Sequence, residues 1–206
     1  MTTTDALAGR TALVTGVSRR RGIGYAIACE LAAQGASVIA HHHAPHDVDQ
    51  PWGADDLDAV ADGVRSHLRG GAGLLTLPGE LGDADAPAAV VDAAAAFAGA
   101  QGSALDVLVC NHARSGGDGS ILDMTAEALD AFWTTNTRST LLLTRRFAEV
   151  CGAQRTGAAR PGDRTGVRVV TDPASAPKVV WMTSGQQDGP MPGEVAYAAS
   201  KAALAG

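Results

Sequence analysis

The chain has 206 residues, 46% of them apolar, and 16 Lys and Arg against 22 Asp and Glu give a net charge of −6. That suits one globular domain over residues 1–206 with a sizeable core, and an acidic balance with no basic block argues against nucleic acid as a partner. Cys29, Cys110 and Cys151 are odd in number and far apart, so no disulfide framework is expected; no apolar run is long enough for a bilayer, and the Met1–Asp5 start has no signal-peptide pattern, so the expectation is a cytoplasmic protein without a membrane partner.

Thr11-Ala12-Leu13-Val14-Thr15 is a short apolar run that stops at Gly16 and reads as a buried strand. A loop with Gly16, Ser18, Arg19, Arg20, Arg21, Gly22, Ile23 and Gly24 follows, and residues 25–34 have helical apolar spacing. A strand that runs through a glycine-rich loop into a helix suits a pyrophosphate. Glycines let the backbone approach closely, and the helix N-terminus presents free N–H groups. Residues 36–40 form the second strand, ending in His41-His42-His43 with no Asp or Glu there. An acid at that point ordinarily holds the adenosine ribose hydroxyls. Its absence, with three arginines in the loop, favours a 2′-phosphorylated cofactor, so NADP(H) is preferred and NAD(H) is the alternative. A metal on His41, His42, His43 and His46 is set aside, because neighbouring strand residues point to opposite faces.

Residues 45–53 read as an extended polar loop, and 54–69 as an amphipathic helix. Residues 74–77 make the third strand, 87–98 an alanine-rich helix, and 105–110 a fourth strand ending at Asn111-His112-Ala113. One long helix is expected over roughly 126–151. Asn136 lies inside it, and asparagine is a poor helix former that demands a local reason. Residues 152–177 read as an inserted loop with a short strand at 167–170, and 178–183 as the fifth strand. Alternating strands and helices give an α/β fold, a Rossmann-type doubly wound parallel sheet in three layers. Near the end, Ser184 closes the last strand, and Tyr197 and Lys201 are four apart, which on a helix puts them on one face. A hydroxyl, a phenol and an ammonium together suit proton transfer to or from an oxygen.

With these pieces in order, the chain resembles the short-chain dehydrogenase/reductases, in particular the 3-oxoacyl-carrier-protein-reductase-like members. The match runs from Thr11 to the last residue. Thr15-Gly16 and Gly22-Ile23-Gly24 resemble the family's cofactor loop, with five residues between the first two glycines where the family has three. Asn111 resembles the asparagine of the element after the fourth strand, and Glu80 stands where the family has an Asp beside adenine. The resemblance implies cofactor contacts at the loop, His42, Glu80, Leu81, Asn111, Tyr197 and Lys201. It implies catalysis by Asn136, Ser184, Tyr197 and Lys201 on a small carbonyl or alcohol substrate. Tyr197 would be the general acid/base, Lys201 would lower its pKa and bond the nicotinamide ribose, Ser184 would hold the substrate oxygen, and Asn136 would hold a relay water.

Family members continue past the position of Gly206 with a sixth and seventh strand, so the resemblance implies a C-terminally incomplete chain, homo-oligomeric if the fold is completed. The competing expectation is a catalytically incomplete nucleotide-binding module. An extended-type epimerase or dehydratase fits the glycine spacing less well.

Overall fold

The computed structural model describes residues 5–156 and 176–205. Five strands form one parallel sheet: β1 (Thr11–Val14), β2 (Ser37–His42), β3 (Leu74–Pro78), β4 (Leu105–Cys110) and β5 (Lys178–Trp181), in the order β3-β2-β1-β4-β5. The short strand expected at 167–170 lies outside the described residues.

Strand alternation decides what each face buries. Leu13, Ile39, Leu108 and Cys110 point to one side. There they meet Val91, Ala94 and Ala98 of α4 (Ala86–Ala100) and Leu143 and Phe147 of α6 (Ser139–Thr156). Val14, Val38, Ala40 and Val109 point to the other. There they meet Ala28 and Ala32 of α1 (Ile23–Ala33) and Val60 and Val64 of α3 (Leu57–Arg65). The result is the three-layer doubly wound sheet expected from the alternation of strands and helices. No helix among the described residues is long and apolar enough to cross a membrane.

Two elements depart from the sequence reading. The polar stretch read as loop 45–53 contains a short helix, α2 (Ala44–Val48), with Pro45 in its first turn, where a missing N–H costs nothing. The single helix expected over 126–151 is broken in three: α5 (Ala126–Phe132), a π-helical turn over Trp133–Arg138, and α6. A π turn inserts a residue into the helical repeat and re-aims the side chains beyond it. Here it turns Asn136 fully inward. Helix α3 is shorter than the amphipathic pattern because Asp56 caps it, accepting from the N–H groups of Asp58 and Ala59. The last helix, α7 (Val195–Ala202), carries Tyr197 and Lys201.

Candidate active site

Strands β1 and β4 are neighbours in the sheet, but the chain leaves their carboxyl ends toward opposite faces. A crevice forms at such a reversal. The cleft there has a volume of about 880 Å³, and its wall includes Gly16, Asn111, Glu80 and Tyr197. Asn111 ties the two strand ends together: its Nδ2 donates to the carbonyls of Thr15 (3.0 Å) and Gly16 (3.2 Å). Gly16 has φ +74°, and a Cβ there would lie 2.9 Å from the backbone of His112. The chain can take this turn only with glycine.

The two extra residues of the loop are absorbed in a turn. Gly22 N donates to Arg19 O at 3.0 Å, which brings the chain back to start α1. Arg20 sits at the corner and faces away from the cleft. Its backbone N–H (2.9 Å) and guanidinium (2.7 Å) are held by Asp55, whose carboxyl the arginine keeps well below the usual range. Arg21 lines the cleft and makes no ion pair among the described residues, and Ser18, Gly22 and Ile23 are on the same wall. Helix α1 has no side-chain cap at Gly22, so its first N–H groups open onto this wall. Gly24 is off the wall and packs against Gly16 O.

Arg19 is on the wall but already engaged. Its Nε lies 2.8 Å from Asp47, and its guanidinium stacks on Trp52 at 4.9 Å. Asp47 is buried and also accepts from Ser18 Oγ and from Trp52 Nε1 (2.9 Å). The segment after β2 thus folds over one end of the cleft. Of the three histidines, His41 and His43 face the cleft, while His42 alternates away from it. His43 Nε2 lies 2.7 Å from Glu80 Oε2, and Glu80 Oε1 accepts from Gly82 N at 2.8 Å. Leu81 is buried beneath them. Among the described residues no group of three or more His, Cys, Asp or Glu is placed to hold a metal ion.

His112 follows Asn111 and is enclosed. Ser139 Oγ donates to Thr135 O, so the imidazole N–H is at Nε2, donating to Ser139 Oγ (2.7 Å) and Thr135 O (3.0 Å). Nδ1 then accepts from the Thr15 hydroxyl at 2.7 Å. One neutral ring joins the cofactor-loop strand to the π turn. Burial lowers the pKa of His112 to about 3 and that of His41 to about 4. Below pH 6.5 the unfolded chain takes up protons that the native chain refuses. Stability should therefore fall as pH drops from about 6.5 toward about 4, by about 1.4 kcal/mol per pH unit for each histidine. Urea titrations at several pH values would measure this. His112→Gln should lower stability at neutral pH and reduce the slope by about one proton; an unchanged slope would reject the assignment.

Helix α7 places Tyr197 on the cleft wall. The phenol is half-buried and its pKa is raised, chiefly by burial, while the Ser184 hydroxyl pulls it down. Ser184 Oγ also accepts from Gln186 N at 3.3 Å. Lys201 is buried one turn along the helix. Its Nζ donates to Met182 O at 2.8 Å, and burial lowers its pKa to about 8. Asn136 is brought to α7 but not to the cleft surface. Its Oδ1 accepts from Arg114 N at 2.6 Å, and its Nδ2 donates to Arg114 O (3.1 Å) and Ser200 Oγ (2.9 Å). The neighbouring Thr137 hydroxyl donates to Ser200 O at 2.8 Å. So the structure puts Ser184 near Tyr197 at the start of α7, buries Lys201 in the last turn of that helix against Met182 O rather than on the cleft wall, and sets Asn136 behind as a brace.

The family model described as enoyl-(acyl carrier protein) reductase matches residues 16–159, more than half of the chain. A short-chain dehydrogenase/reductase from Serratia marcescens superimposes with a TM-score of 0.70 at 27% identity, covering 97% of this chain and 65% of that one. The chain belongs to the short-chain dehydrogenase/reductase family. Within it, a 3-oxoacyl-(acyl-carrier-protein) reductase from Agrobacterium tumefaciens with NADP bound is similar at TM-score 0.69 and 30% identity, covering 98% of this chain and 62% of that one. A short chain dehydrogenase from Burkholderia cenocepacia in complex with NADP gives 0.69 at 28%, covering 97% and 65%. The uncharacterized oxidoreductase YjdA of Bacillus subtilis is 29% identical over 94% of this chain and 64% of its own length. The chain therefore spans less than two thirds of the length of these relatives.

For this short-chain dehydrogenase/reductase, sequence reasoning missed Asp47, Trp52, Arg114 and Asp118. Asp47 and Trp52 belong to the segment read as open loop. The start signal of α2, Pro45 in its first turn, is the one local clue to it. Arg114 lines the cleft with its guanidinium over the Phe132 ring at 5.6 Å. Asp118 is bonded to residues 78 and 79 positions away, a link no local pattern announces.

Proposed function

We propose that the chain forms the nucleotide-binding and proton-transfer site of an NADP(H)-preferring oxidoreductase that interconverts a ketone and a secondary alcohol. The observation that carries this is a cleft whose wall includes both the Gly16–Ile23 loop and Tyr197. The residues fit a dinucleotide: Gly16 lets the chain turn tightly against His112 and Asn111 on the cleft wall, and the uncapped α1 N-terminus suits a pyrophosphate. When bound, the nicotinamide supplies the hydride.

Tyr197 gives its phenolic proton to the carbonyl oxygen in reduction and takes one from the alcohol in oxidation. Ser184, the hydroxyl acting on the phenol, fixes that oxygen beside it. Lys201 is the buried cation that favours the phenolate, and its ammonium is the group that would bond the nicotinamide ribose. Asn136 acts from behind, holding Ser200 and the Arg114 backbone in register with α7; a relay water belongs to the family resemblance.

Preference for the 2′-phosphate rests on Arg21, a cation on the wall without an ion-pair partner among the described residues, and on strand β2 ending in histidines. Asp47, a carboxylate on the same wall, is spent on Ser18, Arg19 and Trp52. The bound NADP of the Agrobacterium and Burkholderia proteins supports the same choice. NADPH should bind about tenfold tighter than NADH, about 1.4 kcal/mol, and Arg21→Ala should remove most of the difference. Thermal melts with each nucleotide, combined with turnover of small ketones, test the reading. Equal affinities would overturn the phosphate assignment. Binding without turnover would leave a nucleotide-binding module, and neither would overturn the whole.

A further inference from the structure

Helix α7 begins without a cap of its own. Its N-cap residue, Glu194, has φ −140° and ψ 48° and makes no side-chain capping bond. The Glu194 carboxylate instead accepts from Gln186 Nε2. A helix start leaves its first N–H groups without partners inside the helix, and intrahelical bonding here begins with Ala198 N to Glu194 O at 3.0 Å. The three preceding N–H groups all go to one place, the loop after β4. Val195 N donates to Gly119 O at 3.2 Å. Ala196 N donates to Asp118 Oδ1 at 3.1 Å, and Tyr197 N donates to Asp118 Oδ2 at 2.7 Å. Oδ1 also accepts from Gly119 N at 2.8 Å, which holds the carboxylate in one orientation. Consecutive glycines at φ +77° and +66°, Gly116 and Gly117, make the reversal that presents Asp118 to the helix.

We propose that Asp118 is the positioning residue of the proton-transfer site, its carboxylate capping α7 from the post-β4 loop and so setting where Tyr197 stands in the cleft. The inference rests on the function proposed above. Aspartate suits the task because both oxygens only accept, whereas an amide would turn an NH₂ toward one of the two backbone donors. A carboxylate is also the favoured charge at a helix N-terminus. The same loop carries Asn111 and Arg114, so movement on the nucleotide side of the cleft is transmitted to Tyr197 through two bonds.

The chain has two tyrosines. In a Tyr25→Phe background the near-ultraviolet absorbance titration therefore reads Tyr197 alone, with or without turnover. The groups facing the phenol are Ser184 and Glu194, and both are left in place. Asp118→Asn should loosen the first turn, admit water to the phenol and bring its titration down toward the ordinary tyrosine value. In parallel, kcat should fall about tenfold or more with KM for NADPH nearly unchanged, as expected for misplacement of a reacting group. Asp118→Glu keeps both acceptor oxygens and should lie between the two. It carries the comparison where Asp118→Asn fails to melt cooperatively. A Tyr197 titration identical in parent and variant would overturn the proposal, as would a moved titration with kcat unaltered. Absence of turnover in the parent would refute the oxidoreductase reading and leave the titration to judge the cap.

Discussion

Replacing Tyr197 with phenylalanine should lower ketone reduction by a factor of about 10²–10⁴, the range a positioned general acid/base supplies, and should leave NADPH affinity within about threefold, well under 1 kcal/mol. The separation of the two effects is the content of the prediction. Tyr197 reaches the cleft from α7, after β5, whereas the Gly16–Ile23 loop follows β1 two strands away, and the group acting on the phenol is Ser184 rather than the loop. Phenylalanine keeps the ring and deletes one oxygen from a half-buried position, so neither packing nor the first turn of α7 should change. Asp118 holds that turn by backbone N–H groups, which the substitution leaves alone. Steady-state kinetics with a thermal melt check both halves. Turnover equal to that of the parent would remove Tyr197 from the chemistry. A loss of NADPH binding as large as the loss of turnover would mean that the residue serves the cofactor instead.

The frame of the fold is legible in the sequence because its central strands are buried on both faces. Thr11–Val14 and Leu105–Cys110 are mainly apolar runs, the second interrupted by Asp106, that stop at Gly16 and Asn111, and such runs have few alternatives to a central parallel strand. Tyr197 and Lys201 are legible as a pair because a single helical turn links them. What is not legible is set by contacts that skip along the chain. The π turn at Trp133–Arg138 has no signature in apolar spacing, although Asn136 inside a helix already asked for a reason, and the reason is its bonds to Arg114 and Ser200. Arg20 is the opposite case. It belongs to a loop that the resemblance assigns wholly to the cofactor, yet Asp55, 35 residues on, draws it outward. Three arginines in a row read as one patch in sequence, but the turn at Arg19–Gly22 sends them three ways: to Asp47, to Asp55 and to the cleft.

The same distinction between motif and geometry governs Gly24. As a motif residue it belongs to the loop that receives the pyrophosphate. In the structure its hydrogen is what allows α1 to lie against the end of β1. A Cβ at Gly24 would stand 2.4 Å from Gly16 O and 2.6 Å from Asn111 Nδ2, with Gly16 C at 3.0 Å. Two of these are backbone atoms in a turn already fixed by φ +74°, so they cannot yield, and Asn111 Nδ2 is holding Thr15 and Gly16 at the time. Relief requires α1 to shift away from the sheet, which opens the packing of Ala28 and Ala32 and withdraws the helix N-terminus from the cleft. Gly24→Ala should therefore cost about 1–3 kcal/mol, the range for overpacking a core, which for a chain of this size lowers Tm by roughly 2–4 °C per kcal/mol. It should also abolish the NADPH-induced rise in Tm. Gly99→Ala is the comparison that isolates the cause. Gly99 lies near the end of α4 with nothing within 4 Å of the added carbon, and there alanine should raise stability by about 0.5–1 kcal/mol. If Gly24→Ala melts like the parent and still responds to NADPH, the close approach of α1 to Gly16 is not what builds the nucleotide end of the cleft.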